Sequence, residues 1–403
     1  MILAAIALAA IPAFAQLSLA GAQQRAVANS IDVQIALSAV RQAEANLRLA
    51  RIAAIPHLTG DYSLAPQAGP LDVGTVEQHY FIIGAGLSIN DLIGSSNAIR
   101  SAGNELLAAQ RSADAANLVA RQNAAKLYFS ALQAIAIERV RADSVRGAQR
   151  DRGAANLRAR NGESPQLDVV RADVTLAQAR ADLARAQADR ADAVDALASA
   201  TAVSPAALVT LAPAPSPSPA LLDEDRAVAR ALATRPELAA LLATITARGA
   251  GVAGARQSGI PTATIAGGFQ KGVDTGIPVQ GPQVAAHLDF PLASGSGARV
   301  ESAQAQADAA AAQLVDARRR IALEVASAVR DLRADGVATQ AADRARDEAA
   351  RALSAVELGY REGASTSLDI ADARRTYQQA TVDALVAEYQ RALAFAVLQV
   401  IVP

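Results

Sequence analysis

The sequence predicts a mainly α-helical protein with a small β part, built from two tandem copies of one structural repeat. Three observations support this fold class. Short motifs recur in the same order about 200 residues apart in the 403-residue chain. Each half contains a long segment without proline, and each half contains two short segments in which polar and apolar residues alternate. The predicted order in each repeat is helix, two strands, very long helix and shorter helix.

The internal repeat is defined by paired motifs that keep their order along the chain. The offset is 205 for the first pairs and 201 for the later ones. The pairs are 26–32 with 231–237, 54–56 with 259–261, 87–89 with 288–290, Gly162 with Gly363, and 167–169 with 368–370. A Pro/Ser-rich segment at 212–220 cannot be helical. We therefore interpret 16–211 as the first repeat, 212–220 as a stiff linker and 221–403 as the second repeat.

The composition limits the possible functions. Hydrophobic residues make up 52% of the chain but aromatic residues only 3%, and alanine dominates the apolar set, which favours close helix–helix packing over a bulky core. Lys and Arg number 38 against 39 Asp and Glu, so the basic field typical of nucleic-acid binding is absent from the sequence. The lack of cysteine excludes disulfides, thiol catalysis and a lipid-bearing cysteine.

The N-terminal segment 1–15 is typical of a secretory signal peptide. An apolar run at 2–11 precedes Pro12, and Ala13 and Ala15 form a small-residue cleavage site before Gln16. No other part of the sequence approaches about 18 uninterrupted apolar residues. We therefore expect any membrane crossing to use β-strands closed into a barrel.

The helices are predicted from periodicity and from proline positions. A first helix of about 38 residues is expected at 19–55 and again at 222–259, ended by Pro56 and Pro261. The proline-free segments predict long helices at 96–160 and 297–360, the first of roughly 64 residues or about 96 Å. Shorter helices are expected at 165–200 and 365–401.

Four strands are predicted, at about 57–66, 79–90, 262–270 and 283–291. In the last one, Val284 and Leu288 alternate with Gln283 and His287, which gives one apolar and one polar face. This pattern is typical of transmembrane barrels, although a small sheet packed on a helix is the alternative. Four strands are too few for a barrel, since the smallest have about eight, so several chains would have to share one. The candidate lipid-facing residues are Phe81, Ile83, Leu87, Val284, Leu288 and Phe290.

The helix at 167–191 carries two apolar series on nearly opposite sides. One contains Leu167, Val170 and Val174 and continues through alanines; the other contains Val169 and Leu176. A polar series lies between them, so the helix is expected to have a neighbour on each flank and water between, as in the wall of a helical cylinder. A coiled-coil rod without the cylinder is the alternative.

Taken together, the repeat resembles the TolC-type outer membrane efflux protein family. The matching residues span almost the whole chain after the signal peptide; they are Arg235-Pro236-Glu237, the Ile-Pro pairs before the first strand of each repeat, Leu288-Asp289-Phe290-Pro291-Leu292, and Gly359-Tyr360-Arg361-Glu362-Gly363 followed by Leu368-Asp369-Ile370. The resemblance implies a homotrimer in which each subunit gives four strands to a twelve-stranded barrel in outer-membrane lipid, with the helices continuing as a periplasmic tunnel. It implies the exit duct of a tripartite efflux pump or type I secretion system. The implied partners are a periplasmic adaptor protein and an inner-membrane transporter of the RND or ABC type.

The resemblance also assigns roles to individual positions. The two glycine turns are expected to contact the adaptor; their residues are Asn161, Gly162, Glu163, Glu362, Gly363 and Ala364. Asp369 and Asp372, with Tyr360, are candidates for the channel constriction, where six carboxylates from three chains would favour cations. Ordinary solvated helix surface is the alternative interpretation. The positions where the family places further lock residues hold Ser365 and Ala177, so we expect a different or weaker polar lock.

The sequence gives few signs of catalytic chemistry. His57, His79 and His287 are not spaced as metal ligands, and Gly84-Ala85-Gly86 lacks the strand-to-helix context of a dinucleotide loop. We expect no enzyme activity, no cofactor, no metal and no nucleic-acid partner. The alternative function is a periplasmic structural or adaptor-like coiled-coil protein without a membrane barrel, and the strand faces distinguish the two.

Overall fold

The computed structural model describes residues 16–53, 55, 57–68, 75–208, 211–213, 223–257, 259–274, 277–290 and 295–402. The predicted signal peptide and most of the predicted linker lie outside the described residues. The elements are α1 (Leu19–Asn29), α2 (Ile31–Ile52), β1 (His57–Ala68), β2 (Thr75–Ser88), α3 (Ile89–Arg160), α4 (Gln166–Thr201), a short 3₁₀ turn (Pro205–Leu208), α5 (Glu224–Thr234), α6 (Pro236–Gln257), β3 (Thr262–Asp274), β4 (Ile277–Asp289), α7 (Ser296–Arg361) and α8 (Ser367–Ile401).

The first helix of each repeat is broken, and the prediction of one continuous helix was wrong. In the second repeat Arg235 adopts an extended backbone between α5 and α6, because the ring of Pro236 disfavours a helical conformation at the preceding residue. In the first repeat Ser30 is extended at the same place, and its hydroxyl accepts a hydrogen bond from the backbone N–H of Val33. A serine cap therefore produces the break that proline produces in the other copy.

The long helices and the strands differ from the prediction at their ends. Helix α3 begins at Ile89 rather than near residue 96 and contains 72 residues. Strand β2 begins at Thr75 instead of 79, and β3 continues to Asp274 instead of 270. The alternation at the strand centres was sufficient to find them, whereas their ends are set by pairing with the neighbouring strand.

The chain folds into two compact units, and each unit combines parts of both repeats. The sheet unit consists of Gln34–Ala115 and Pro236–Arg319. The helical unit consists of the described residues up to Val33, of Ala116–Arg235, and of the described residues from Arg320 onward. The repeats are therefore units of sequence but not of packing.

The sheet unit contains one antiparallel sheet in the order β1-β2-β3-β4. The two repeats join between β2 and β3, where Gly84 lies opposite Gly268. A Cβ atom at Gly84 would be 2.7 Å from the carbonyl oxygen of Gly267, and one at Gly268 would be 2.6 Å from that of Ile83. Only glycine fits at this pair, because the obstructing atoms belong to the backbone.

The helical unit has an alanine-rich core around two buried aromatic rings. Tyr128 and Phe129 of α3 contact each other edge to face, with ring centroids 5.8 Å apart. The Tyr128 hydroxyl lies 2.7 Å from the carbonyl oxygen of Ala212 and 3.0 Å from that of Leu17. Leu17 and Leu211 also form a parallel β-bridge. Tyr128 thus fixes the start of the first repeat against the start of the inter-repeat segment.

Among the described residues, two helices reach the hydropathy of a membrane span by length and composition, α6 and α8. The search for uninterrupted apolar runs missed them, because both are alanine-rich with charges between the apolar stretches. Both bury side chains inside their own units, including Ala247 of α6 and Phe395 and Leu398 of α8. About a third of the apolar window of each helix is buried, 33% in α6 and 39% in α8, so packing within the chain accounts for part of their apolar composition.

Candidate functional site: an apolar sheet face and two hairpin tips

One face of the sheet is largely apolar and exposed across three strands, with Lys271 and Gln280 beside Phe81 as polar members. The strand register places Ile83 beside Phe269, and Phe269 beside Pro282. The exposed fractions along this face are 82% for Val284, 62% for Leu288, 51% for Ile265, 48% for Phe81 and Ile83, and 47% for Phe269. An exposed apolar surface of this extent on a sheet is typical of a contact with lipid or with another protein.

The structure brings four of the six predicted lipid-facing residues to this face: Phe81, Ile83, Val284 and Leu288. Phe290 follows the end of β4 and is 59% exposed. The side chain of Leu87 lies outside the description. The opposite face carries Gln270 and Gln283 with the glycine pair, so the sheet separates an apolar from a more polar side.

The first hairpin tip connects α3 to α4. Gly162 adopts a φ of 77°, the left-handed conformation that glycine allows without strain. The N–H of Glu163 donates to the carbonyl oxygen of Arg158 at 2.9 Å, which closes the turn. Pro165 precedes α4 and provides no side-chain cap. The three predicted contact residues of this tip, Asn161, Gly162 and Glu163, are exposed.

The second hairpin tip connects α7 to α8 with the same turn and a different helix start. Gly363 has a φ of 81°, and the N–H of Ala364 donates to the carbonyl oxygen of Gly359 at 2.7 Å. Thr366 and Asp369 form a capping box at the start of α8. The predicted contact residues Glu362, Gly363 and Ala364 are exposed.

The three candidate constriction residues have different partners. One carboxylate oxygen of Asp369 accepts hydrogen bonds from both the backbone N–H and the hydroxyl of Thr366, each at 2.7 Å. These bonds hold the pKa of Asp369 below its ordinary value. Asp372 is exposed and forms an ion pair with Arg375 at 2.8 Å. The guanidinium carbon of Arg158 lies 4.0 Å from the centroid of the Tyr360 ring, above its face. Tyr360 therefore contacts the first hairpin.

Two further polar contacts join the hairpins, and the sequence interpretation missed both. The hydroxyl of Ser367 donates to Asp168 at 2.7 Å. Arg374 of α8 forms ion pairs with Asp151 of α3 and Glu357 of α7. Burial of the Arg374 side chain lowers its pKa, and the charge of a nearby arginine adds to this effect.

The hairpins also line a cavity of 540 Å³. Its charged lining residues are Arg141, Asp151, Asp168, Arg171, Asp182, Asp372, Arg374 and Arg375, which is four of each sign. Within the described residues no group of three or more potential ligands is placed to hold a metal ion. The cavity is therefore charge-balanced.

Helix α4 uses only one of its two apolar flanks within the chain. Val169, Leu176 and Ala186 of one series are buried. In the other series Leu167, Val170 and Val174 are 54%, 53% and 52% exposed. The second flank is exposed, and its Val170 and Val174 line the same 540 Å³ cavity as Asp372 and Arg375 of α8.

A two-repeat chain with long helical hairpins and a four-stranded sheet of this kind is typical of an outer-membrane channel subunit. The sequence profile of the outer membrane efflux protein family matches residues 22–203 and 227–402. The chain belongs to this family, a family of channel proteins, which confirms the resemblance seen in the sequence. It is an outer membrane efflux protein, and the adaptor-like alternative is not favoured. No protein among those of curated function matches the chain significantly.

Several solved structures share the fold over nearly the whole chain. A membrane protein from Pseudomonas aeruginosa is 20% identical with a TM-score of 0.82, and the match covers 96% of this chain and 93% of that one. VceC, the outer membrane protein of Vibrio cholerae, is 18% identical with a TM-score of 0.80, covering 95% and 96%. The CmeC outer membrane channel of Campylobacter jejuni is 17% identical with a TM-score of 0.79, covering 95% and 85%. The predicted two-repeat fold is confirmed.

Proposed function

We propose that three copies of this chain form a passive exit duct of a tripartite efflux pump or type I secretion system. Each copy contributes its four strands to a twelve-stranded barrel in the outer membrane, and its helical hairpins extend into the periplasm. A periplasmic adaptor contacts the hairpin tips, and an inner-membrane transporter of the RND or ABC type supplies the energy. The observation that carries this proposal is the exposed apolar face of the sheet.

The sheet supports a shared barrel because its edges are open. Strands β1 and β4 each pair with one neighbour within the chain. Open sheet edges are not stable in a bilayer, where every backbone polar group needs a partner. Pairing β4 of one copy with β1 of the next satisfies both edges and turns the apolar faces toward lipid.

The helices support the same arrangement because α4 has an unused apolar flank. Leu167, Val170 and Val174 lie on that flank, and a hairpin of the next copy is its natural neighbour in a closed ring. The polar residues between the two flanks then line water. The helical ring thereby continues the duct.

The second tip is the proposed narrow end of the duct. Asp369 and Asp372 of three copies form the constriction, and Tyr360 holds it against the first hairpin through Arg158. The contacts from Ser367 to Asp168 and from Arg374 to Asp151 take the place of the lock residues that this sequence lacks. Adaptor binding at the exposed tips would compete with these contacts and open the duct.

Arginine substitutions on the two sides of β4 test the proposal with matched controls. Val284→Arg places a charge on the apolar face, where an arginine near the bilayer centre costs about 2–4 kcal/mol. Gln283→Arg places the same charge one residue away on the other face. We expect Val284→Arg to abolish the heat-modifiable trimer in outer-membrane fractions and Gln283→Arg to retain it. Equal trimer yields for the two variants, or a wild-type protein that is a detergent-independent monomer, would refute the duct.

A further inference from the structure

We infer that Arg375 sets the charge selectivity of the narrow end of the duct, so that anionic and neutral solutes pass as well as cations. The inference rests on the proposed function, because it needs the start of α8 to line the bore. In the structure Arg375 belongs to the same exposed stripe as the two candidate constriction acids.

The exposed stripe of α8 is mainly polar along its first four turns, with Leu368, which is 50% exposed, as its apolar member. Its polar members recur every three or four residues and therefore share one helix face; they are Asp369, Asp372, Arg375, Gln379 and Asp383. The exposed flank of α4 is apolar by contrast. The α8 stripe is thus suited to face water, and Val170 and Val174 of the α4 flank border the same 540 Å³ cavity.

The first acid of the stripe is turned away from a passing solute. Asp369 uses one carboxylate oxygen to accept both hydrogen bonds from Thr366, the residue before α8 begins. This capping box orients the carboxylate toward the start of the helix. Its charge remains, but its hydrogen-bonding capacity is partly used.

The second acid is compensated by the next member of the stripe. The Arg375 guanidinium lies 2.8 Å from the Asp372 carboxylate, and the Arg375 side chain is 80% exposed. Three residues of helix correspond to about 4.5 Å along the axis, which is less than the Debye length of about 8 Å at physiological salt. A permeating ion would therefore feel both rings together. Three copies would present the arginine ring directly behind the acidic one, and charged rings set the sign of the preferred ion.

The surroundings of the pair show the same compensation. Asp372 and Arg375 line the 540 Å³ cavity, whose charged residues include equal numbers of arginine and aspartate. An efflux duct reserved for cations would concentrate acids at this place. The cavity lining is balanced, whereas the α8 stripe keeps three aspartates to one arginine, so Arg375 weakens the cation preference that the acids alone would impose.

Reversal potentials in planar lipid bilayers test the role of Arg375. The purified protein is measured under a tenfold KCl gradient at low salt. We expect Arg375→Gln to raise the K⁺-to-Cl⁻ permeability ratio several-fold over wild type, and Asp372→Asn to lower it. Both changes in the permeability ratio should become smaller near 1 M salt, where the Debye length falls to about 3 Å. Arg351→Gln is the matched control, because Arg351 forms an equally exposed ion pair with Glu348 at 2.8 Å and the same spacing.

The outcomes separate this inference from the proposed function. Conducting pores in which Arg375→Gln has the wild-type ratio, or in which Arg351→Gln changes it equally, would overturn the selectivity role and leave the duct intact. A wild-type protein that forms no conducting pores would overturn the duct and the inference with it. If Arg375→Gln fails to assemble, Arg375→Lys and Arg375→Met are compared in the same measurement, and equal permeability ratios for these two variants would overturn the selectivity role.

Discussion

The two copies of the repeat have the same architecture but use equivalent positions for different chemistry. At the offset of 201 residues, Pro165 corresponds to Thr366 and Asp168 to Asp369. In the second copy Thr366 and Asp369 cap their own helix. In the first copy proline has no hydroxyl to cap with, and Asp168 instead accepts a hydrogen bond from Ser367 of the other hairpin. Loss of a local cap has thus freed an acid for a contact between the copies.

The same divergence occurs at two other equivalent pairs. Asp173 pairs with Arg152 inside the first hairpin, whereas its counterpart Arg374 binds acids on two other helices. Tyr128 in the core of the first copy corresponds to Val329, and both are fully buried. Equivalent positions in the two repeats therefore keep the same place in the fold but bind different partners.

The largest loss of stability is expected where the two repeats join, at Gly84 and Gly268 between β2 and β3. Gly268→Ala would bring a Cβ within 2.6 Å of a backbone oxygen and separate the strands. Overpacking against a fixed backbone destabilises a protein by about 1–3 kcal/mol. In the proposed trimer each of the three chains would be destabilised in this way. Gly267→Ala is the matched control, since no atom lies within 4 Å of its Cβ position. We expect the thermal midpoint of the trimer to fall strongly for Gly268→Ala and little for Gly267→Ala; equal midpoints would contradict the close approach.

A smaller effect is expected at Tyr128, which makes polar contacts that Val329 cannot make. Burial raises the pKa of Tyr128 to about 12, and its hydrogen bond to Ala212 opposes part of this rise. In the unfolded chain the pKa of the Tyr128 hydroxyl is near its ordinary value of 10.0. The folding stability that neutral Tyr128 contributes below pH 10 is therefore lost as the pH rises from about 10 to about 12. A shift of about two units corresponds to up to about 3 kcal/mol.

Alkaline unfolding of Tyr128→Phe, followed by circular dichroism, measures this contribution. The variant should be less stable at neutral pH by about 1–2 kcal/mol, because a buried hydrogen bond is lost. It should also lose less further stability between pH 10 and 12 than wild type does. Parallel pH profiles for the two proteins would show that the hydroxyl does not fix the N-terminal segment.

The smallest effect is expected from exchanging the helix caps. Thr366→Ala removes the cap of α8 and should cost about 1 kcal/mol. Pro165→Thr supplies the missing cap to α4 and should draw Asp168 back toward its own helix. We expect Pro165→Thr to weaken the Ser367 contact, which is measurable as faster amide exchange at the start of α8. Unchanged exchange in Pro165→Thr would mean that the contact between the copies does not depend on the missing cap.

Local patterns were enough to predict the repeat, the order of its elements and the apolar sheet face. Alternation at Val284 and Leu288, and three–four spacing after Leu167, depend only on neighbouring residues. The breaks at Ser30 and Arg235 were both missed: no proline marks the first, and Pro236, which follows the second, is also compatible with the first turn of a helix. The contacts of Ser367 and Arg374 could not be predicted, since their partners are 199 and 223 residues away and depend on how the hairpins pack. The sequence marked Asp369 as a candidate constriction residue. Its role in capping α8 becomes visible only in the structure, where Thr366 lies directly before the helix.

The most direct measurement of the central claim is a cryo-electron microscopy map of the purified protein in lipid nanodiscs. The account predicts a three-fold symmetric particle in which the strands of three chains close one barrel, with Phe81 and Val284 toward lipid and the polar stripe of α8 facing a water-filled bore. A single chain that pairs both edges of its own sheet, or helices packed around a dry centre, would contradict it.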